Sequence, residues 1–230
     1  MVLTYHILLN NNIDHLLMKK FICVIGIALI SMSAISQESG PGNWLIYIGS
    51  KQLNSKWNLH HEIQYRNYNM LGDMEQLLIR TGLGYNIGSR SNVLLGYGYI
   101  NSENFTGNAN DQTTVEEHRI FQQFITKQNI GKVSLQHRYR FEQRFVESDF
   151  KTRFRYFLSM NIPFKNPKYY LSAYNEIFLN GESNVFDRNR IYGGLGYKIS
   201  KGIKLELGYM SQVFETSSRD QINIITLVNF

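Results

Sequence analysis

Apolar and polar residues alternate along most of this chain, so that every second side chain falls on the same face of an extended segment. Between residues 56 and 68, for example, Trp57, Leu59, Ile63 and Tyr65 share one face and polar residues share the other. A period of two residues is typical of β-strands. The pattern predicts about eleven strands of 10 to 16 residues. They lie near residues 44–53, 56–68, 75–87, 92–101, 116–128, 132–145, 150–162, 168–180, 187–199, 203–214 and 219–230.

The length of these segments indicates which kind of β-protein they form. Strands of soluble sheets are usually about five or six residues long, whereas a tilted strand that crosses a membrane needs about 9 to 11. Membrane barrels place their polar face inward and their apolar face outward. The predicted fold class is therefore all-β, an antiparallel transmembrane β-barrel of about 10–12 strands. A soluble barrel or sandwich is the alternative, and it would bury the apolar face.

The predicted connections are of two kinds that alternate along the chain. Short turns lie at 54–56, 88–91, 129–131, the segment containing Pro163 and Pro167, and 200–202. Looser segments lie at 69–73, 101–114, 147–149, 180–187 and 215–220. Because membrane barrels have short periplasmic turns and longer external loops, the short turns define a periplasmic end, the turn end. The looser segments define an external end, the loop end.

The direction of the first strand conflicts with an even strand number. An even barrel with both termini in the periplasm begins with a strand that runs toward the loop end. By the pattern of connections, the segment 44–53 runs toward the turn end instead. Either the alternation misses one strand or indicates one too many, or the N-terminal segment starts inside the lumen. The prediction is ten to twelve strands, and twelve is preferred on parity alone.

The two ends of the chain carry signals of export. Residues 18–36 contain Lys19 and Lys20, a short apolar stretch and small residues before a cleavage site near Ser36/Gln37, which is the layout of a signal peptide. Residues 1–17 are a start-site artefact or an extended n-region, and residues 37–230 form the barrel. The terminal strand ends on Phe230, which is similar to the signal that the outer-membrane insertion machinery recognises. The predicted location is the cell outer membrane, with its lipid and that machinery as partners.

Composition excludes several kinds of chemistry. The only cysteine, Cys23, lies in the predicted signal peptide, so a processed chain has no disulfide, cysteine nucleophile or thiolate metal site. The chain has a net charge of +6, but its arginines alternate with aromatic residues rather than forming a patch, which argues against nucleic acid. No cofactor and no metal site are predicted.

Charged residues dominate the predicted inward face and form the main candidate site. This lumen charge ladder contains Arg66, Arg80, Arg138, Arg140, Glu142, Arg144, Arg153, Arg155, Arg188 and Arg190, and the other inward carboxylates are Glu62, Glu176 and Glu206. One interpretation is a charge-paired core that fills a narrow, structural barrel. The other is a narrow pore with a basic lumen that favours a small anionic solute, since rings of arginine select anions.

Two further functions are alternatives. An envelope lipid-modifying enzyme would need a base, and His60 with Glu62 on the same face forms a candidate pair, whereas His61 and His137 fall on the lipid-facing pattern. No serine lies in a hydrolase motif, so no catalytic residue is predicted. The loop 101–114 is polar and could bind a surface partner.

Several separated phrases together resemble one family. They are KWNLHHEIQYRNYN, RTGLGYNI, NVLLGYGYI, QHRYRFEQRF, RFRYFLSMNIP, LSAYNEIF, FDRNRIYGGLGY and ELGYM. The chain resembles, over residues 43 to 230, the family catalogued as domain of unknown function 2490, a set of presumed outer-membrane β-barrels of Gram-negative, Bacteroidetes-type bacteria. The resemblance implies the barrel fold and its location, and it implies no activity and no catalytic residues.

Overall fold

The computed structural model describes residues 40–70, 72–105 and 112–230. The segments 1–17 and 18–36, with the predicted signal peptide, lie outside the described residues. The described part of the chain is all-β, and it contains no helix long and apolar enough to cross a membrane.

Eleven strands make up the described residues. They are β1 Gly42–Gln52, β2 Trp57–Asn67, β3 Met74–Asn86, β4 Ser91–Phe105, β5 Gln112–Ile130, β6 Val133–Val146, β7 Asp149–Pro163, β8 Tyr169–Asn180, β9 Phe186–Lys198, β10 Ile203–Val213 and β11 Ser218–Asn229. Each overlaps one segment in which the sequence alternates. The alternation therefore identified every strand of the described chain.

The strands form a closed barrel in sequence order. Neighbours pair antiparallel, and the circle is completed by a parallel pairing of β1 with β11, in which Trp44 is opposite Asn223 and Tyr47 is opposite Thr226. The preference for twelve strands is wrong. Because the first and last strands pair in parallel, both run toward the turn end, so an odd number closes the barrel without an additional strand.

The connections keep the predicted alternation of ends but differ in length. At the turn end, β5 runs on to Ile130, and Gly131 with a φ of 58° begins the turn into β6. At the loop end, only residues 147 and 148 separate β6 from β7, and Glu147 has a φ of 52°. The predicted loop at 101–114 is mostly strand, since β4 extends to Phe105 and β5 begins at Gln112.

The two faces of the barrel wall differ in polarity in the predicted sense. Apolar side chains on the outer face are exposed, among them Ile63 at 47% and Leu195 at 60%. Polar side chains on the inner face are buried, among them Arg140 at 1% and Glu142 at 0%. Burial of charge together with exposure of apolar surface is the reverse of a soluble barrel and is the arrangement of a membrane barrel.

Aromatic rings pack over glycines in the lumen, from mid-height of the barrel toward the turn end. Phe121, Tyr170 and Tyr192 are all buried and face inward. Each lies over a glycine of the neighbouring strand: a Cβ on Gly96 would be 2.3 Å from Phe121, and one on Gly196 would be 2.1 Å from Tyr170. Large rings nested over glycines occupy part of the lumen that a channel would need.

Candidate functional site

The loop-end half of the lumen contains a cavity of about 220 Å³, called here the loop-end chamber. Its wall is formed by lumen-facing side chains of strands all round the barrel and extends to the strand ends at the loops. Its lining residues are Trp44, Arg66, Glu75, Gln76, Arg80, Ser102, Asn104, Val115, Glu117, Arg119, Arg144, Val146, Arg153, Arg155, Phe178, Arg188, Arg190, Gln212, Phe214 and Arg219.

The chamber ends against fully buried side chains at mid-height of the barrel. Phe121 and Met210 face the lumen there, on the turn-end side of the lining residues Arg119 and Gln212, and each has 0% of its surface exposed. A continuous water-filled channel would leave the side chains on its wall accessible to water. Along the described strands, the chamber therefore opens toward the loops and is closed toward the turn end.

Glu142 is the centre of the charge network beside the chamber. It accepts hydrogen bonds from Arg153 at 2.7 Å and from Arg155 at 2.7 Å. The guanidinium groups of Arg140 and Arg119 lie within 3.6 Å and 4.0 Å of its oxygens. One fully buried carboxylate thus faces four arginines, from β5, β6 and β7.

The other lumen carboxylates are shared in the same way. Glu176 accepts from Arg138 and Arg155, both at 2.6 Å. Glu117 lies 2.6 Å from Arg144 and also bonds Arg119. The remaining pairs are Glu62–Arg80 at 2.9 Å, Glu75–Arg219 at 2.8 Å, Asp187–Arg153 at 3.1 Å and Asp187–Arg188 at 3.0 Å.

Arginines outnumber carboxylates in this half of the lumen. The described strands place eleven arginines there: Arg66, Arg80, Arg119, Arg138, Arg140, Arg144, Arg153, Arg155, Arg188, Arg190 and Arg219. Six carboxylates oppose them: Glu62, Glu75, Glu117, Glu142, Glu176 and Asp187. Five positive charges are left without a matching negative charge from the described chain. Because buried charges must be paired or stay hydrated, this excess makes the chamber the candidate site for an anion.

All nine predicted ladder arginines face the lumen, and seven of them line the chamber. Arg138 and Arg140, together with Glu142, lie behind its wall. Two lining arginines were not predicted. Arg119 belongs to β5, where Glu116, His118 and Gln122 put polar residues on the outer face too, which obscured the alternation. Arg219 lies near the start of β11, where the strand boundary was uncertain from sequence.

Two of the lining arginines stack on one tryptophan. The guanidinium carbon of Arg66 lies 3.8 Å from the ring centroid of Trp44, and that of Arg190 lies 4.8 Å from it. Phe178 is approached by Arg155 and Arg190 at 4.4 and 4.5 Å. Such cation–π contacts hold guanidinium groups in place without neutralising their charge.

The predicted histidine pair is present, but it lacks a nucleophile. His60 lies 3.3 Å from Glu62, inside the lumen, and its ring has no hydroxyl partner among the described residues. His61 lies on the outer face beside Tyr47 and Phe230. His137 also faces outward and lies 2.9 Å from the hydroxyl of Tyr156.

The remaining predicted residues lie outside the chamber. Glu206 is in the turn-end half of the lumen, where it accepts a hydrogen bond from Tyr170 at 2.8 Å. Phe230 is 68% exposed at the turn end, and its backbone N–H donates to Ser50 at 3.0 Å. Among the described residues, no group of three or more histidine, cysteine or acidic side chains is placed to hold a metal ion.

Comparisons with known proteins give a family and no activity. The model of a family described as protein of unknown function (DUF2490) matches residues 41–223, well over half of the chain. An uncharacterized protein of Methylorubrum extorquens is 28% identical over 170 residues, which cover 68% of this chain and 72% of that protein. Neither description names a ligand, a reaction or a location.

Proposed function

We propose that this chain, which belongs to the DUF2490 family of unknown function, is an outer-membrane β-barrel that binds a small anion in its loop-end chamber. The observation that carries the proposal is the excess of eleven arginines over six carboxylates around that chamber.

The outer surface supports a location in a membrane. Large apolar side chains are exposed on the outer face of every strand from β1 to β11, and the strands are 11 to 19 residues long. Exposed apolar surface of this extent is costly in water and suits the apolar band of a membrane barrel. The predicted signal peptide agrees with export. Outer-membrane fractionation and an N-terminus at Gln37 are the expected results, and a cytoplasmic, unprocessed chain would contradict them.

The surplus positive charge of the chamber supports binding of an anion. Moving unpaired charge out of water is strongly unfavourable, and surplus guanidinium groups held by cation–π contacts cannot be neutralised by losing their protons. An anion with two or more charges would offset this cost. Arginine is suited to the task because its planar fork donates two parallel hydrogen bonds to one carboxylate or phosphate.

A binding chamber is favoured over a conducting pore. Small barrels are filled by side chains, and only wider ones leave a channel. Here the fully buried Phe121 and Met210 lie on the turn-end side of the lining residues Arg119 and Gln212. The enzyme alternative has no such support, because His60 has no hydroxyl partner among the described residues.

Two measurements on one preparation test this proposal. The full-length coding sequence is expressed in a Gram-negative host, and the protein is purified in detergent from its membranes. Equilibrium dialysis with radiolabelled phosphate and citrate should show saturable retention, and planar bilayers should show no discrete conductance steps. Arg144→Gln with Arg188→Gln should weaken retention, whereas Arg90→Gln, in an exposed turn, should not.

The other outcomes separate the alternatives. Conductance steps with an anion-favouring reversal potential would establish the pore and overturn the closed chamber. A folded barrel that neither conducts nor retains any anion would leave the arginines as a structural network only.

A further inference from the structure

Trp44 lies between two arginines of the loop-end chamber. It lies on β1 directly opposite Arg66 of β2 and is 2% exposed. Arg66 and Arg190 approach its ring at 3.8 and 4.8 Å. All three side chains line the loop-end chamber.

Trp44 has a hydrogen-bond donor that no described residue uses. The indole N–H of Trp44 is buried and has no hydrogen-bond partner in the described structure. Burying such a donor unpaired costs about 1–3 kcal/mol, so its position between two cations needs an explanation. An acceptor that enters the chamber would satisfy it.

The two arginines are also the poorest in carboxylate contacts. Arg66 has no carboxylate within 4.0 Å among the described residues, and it donates to the amide oxygens of Gln64 and Gln76. The nearest carboxylate oxygen to Arg190 is on Glu176 at 3.8 Å, and Glu176 already accepts from Arg138 and Arg155. Of the arginines that line the chamber, the two beside Trp44 therefore have the weakest carboxylate contacts.

We infer that Trp44, Arg66 and Arg190 form the subsite that holds the anionic group of a small, multiply charged oxyanion. This inference rests on the proposed function and specifies its ligand class. The guanidinium groups supply charge-assisted hydrogen bonds to the oxygens, and the indole N–H supplies one neutral donor.

The volume of the chamber limits the size of the ligand. Its 220 Å³ correspond to about seven water molecules at ~30 Å³ each. Inorganic phosphate and a small di- or tricarboxylate fit this space, whereas a nucleotide or an oligosaccharide could insert only one group. Phosphate and carboxylate share the chemistry that the subsite recognises, and both are used as probes.

The chain offers a direct optical probe, because its only tryptophans are Trp44 and Trp57. Trp57 lies on the outer face at the turn end and is 40% exposed. In Trp57→Phe, purified from membranes as above, all tryptophan emission comes from Trp44. Titration with phosphate, citrate or succinate should change that emission saturably, and chloride at equal ionic strength should not.

Variants distinguish a local subsite from a general effect of the chamber's positive charge. Arg66→Gln and Arg190→Gln should each weaken retention of the anion in equilibrium dialysis by roughly tenfold or more, the effect of losing a hydrogen bond to a charged group. Trp44→Phe removes the indole N–H without changing charge and should weaken retention by roughly fivefold. Arg144→Gln and Arg219→Gln remove the same charge from other parts of the chamber and should have smaller effects.

Each result has a defined meaning. If all four arginine variants weaken retention equally and Trp44→Phe does not, the subsite is wrong and the basic chamber stands. If the unmodified protein retains no anion, the proposed function fails as well. Heat-modifiable migration in gels checks that each variant is folded. Arg66→Lys, which keeps the charge and loses the planar fork, should retain the anion less well than the unmodified protein.

Discussion

Single residues of the lumen hold more charge than a protein interior normally accepts. Glu142 is completely buried and faces four guanidinium groups, two of them at 2.7 Å. The desolvation cost of such a carboxylate is several kcal/mol, and it is offset only when close partners surround the group. Glu142 of β6 in turn holds Arg153 and Arg155, both of β7, so that two neighbouring strands are joined through one side chain.

Replacing this carboxylate by its isosteric amide should therefore strongly destabilise the barrel. Glu142→Gln keeps the volume but leaves buried arginines without their counter-charge, and we expect a loss of roughly 3–5 kcal/mol in the free energy of unfolding. The measurement is urea unfolding in lipid vesicles, followed by heat-modifiable migration.

The matched control for this change lies at the loop end of the barrel. Glu75→Gln breaks one pair with Arg219, whose side chain is 32% exposed, and should cost about 1 kcal/mol or less. Equal losses in the two variants would mean that Glu142 is not the centre of the network.

At the scale of strands, glycines and rings on neighbouring strands fit together. Phe121 of β5 lies over Gly96 of β4, and Tyr192 of β9 lies over Gly208 of β10. A glycine in a strand interior weakens the strand itself, so its presence here is explained by the close approach of a ring. These pairs place buried rings on the turn-end side of the chamber.

We expect Gly96→Ala to destabilise the barrel. The new Cβ would lie 2.3 Å from the Phe121 ring, and overpacking of this kind costs roughly 1–3 kcal/mol. Gly193→Ala on β9 is the control, because a Cβ there meets no atom within 4 Å. Urea unfolding in vesicles compares them, and the double variant Gly96→Ala with Phe121→Leu should recover part of the loss. Unchanged stability in Gly96→Ala would contradict the nested packing.

At the scale of the whole molecule, closure depends on one parallel pairing. Ten antiparallel pairings join consecutive strands, and β1 meets β11 in parallel over nine registered residue pairs. This seam permits an odd number of strands and leaves no strand edge exposed. It also places Trp44 against its neighbours on β2 and β11, at the wall of the chamber.

A disulfide can test that seam. Tyr47 and Thr226 are opposite each other on the outer face, and paired strands are about 4.8 Å apart, within the range that a disulfide spans. Tyr47→Cys with Thr226→Cys should cross-link on oxidation, which changes migration in non-reducing gels. The control pair Tyr47→Cys with Ile222→Cys is displaced by four residues, about 13 Å, and should not cross-link. The opposite result would mean a different register or an open barrel.

Alternation along the chain was sufficient for the architecture. It located all eleven described strands, and it assigned Arg66, Arg80, Arg138, Arg140, Arg144, Arg153, Arg155, Arg188 and Arg190 to the inner face. This succeeds because successive side chains of a strand point to opposite faces, so one-dimensional spacing is enough to assign a face. Where both faces are polar, as around Arg119, the spacing does not show which side chains face the lumen.

Tertiary structure alone decided how the barrel closes and what its interior holds. Parity suggested twelve strands, but the register of β1 with β11 depends on residues far apart in sequence. The packing of rings over glycines and the contacts of Trp44 with Arg66 and Arg190 also depend on residues far apart in sequence. Spacing assigns a side chain to a face of its own strand, whereas a chamber depends on which strands lie across the lumen from each other, and that is set only when the sheet closes.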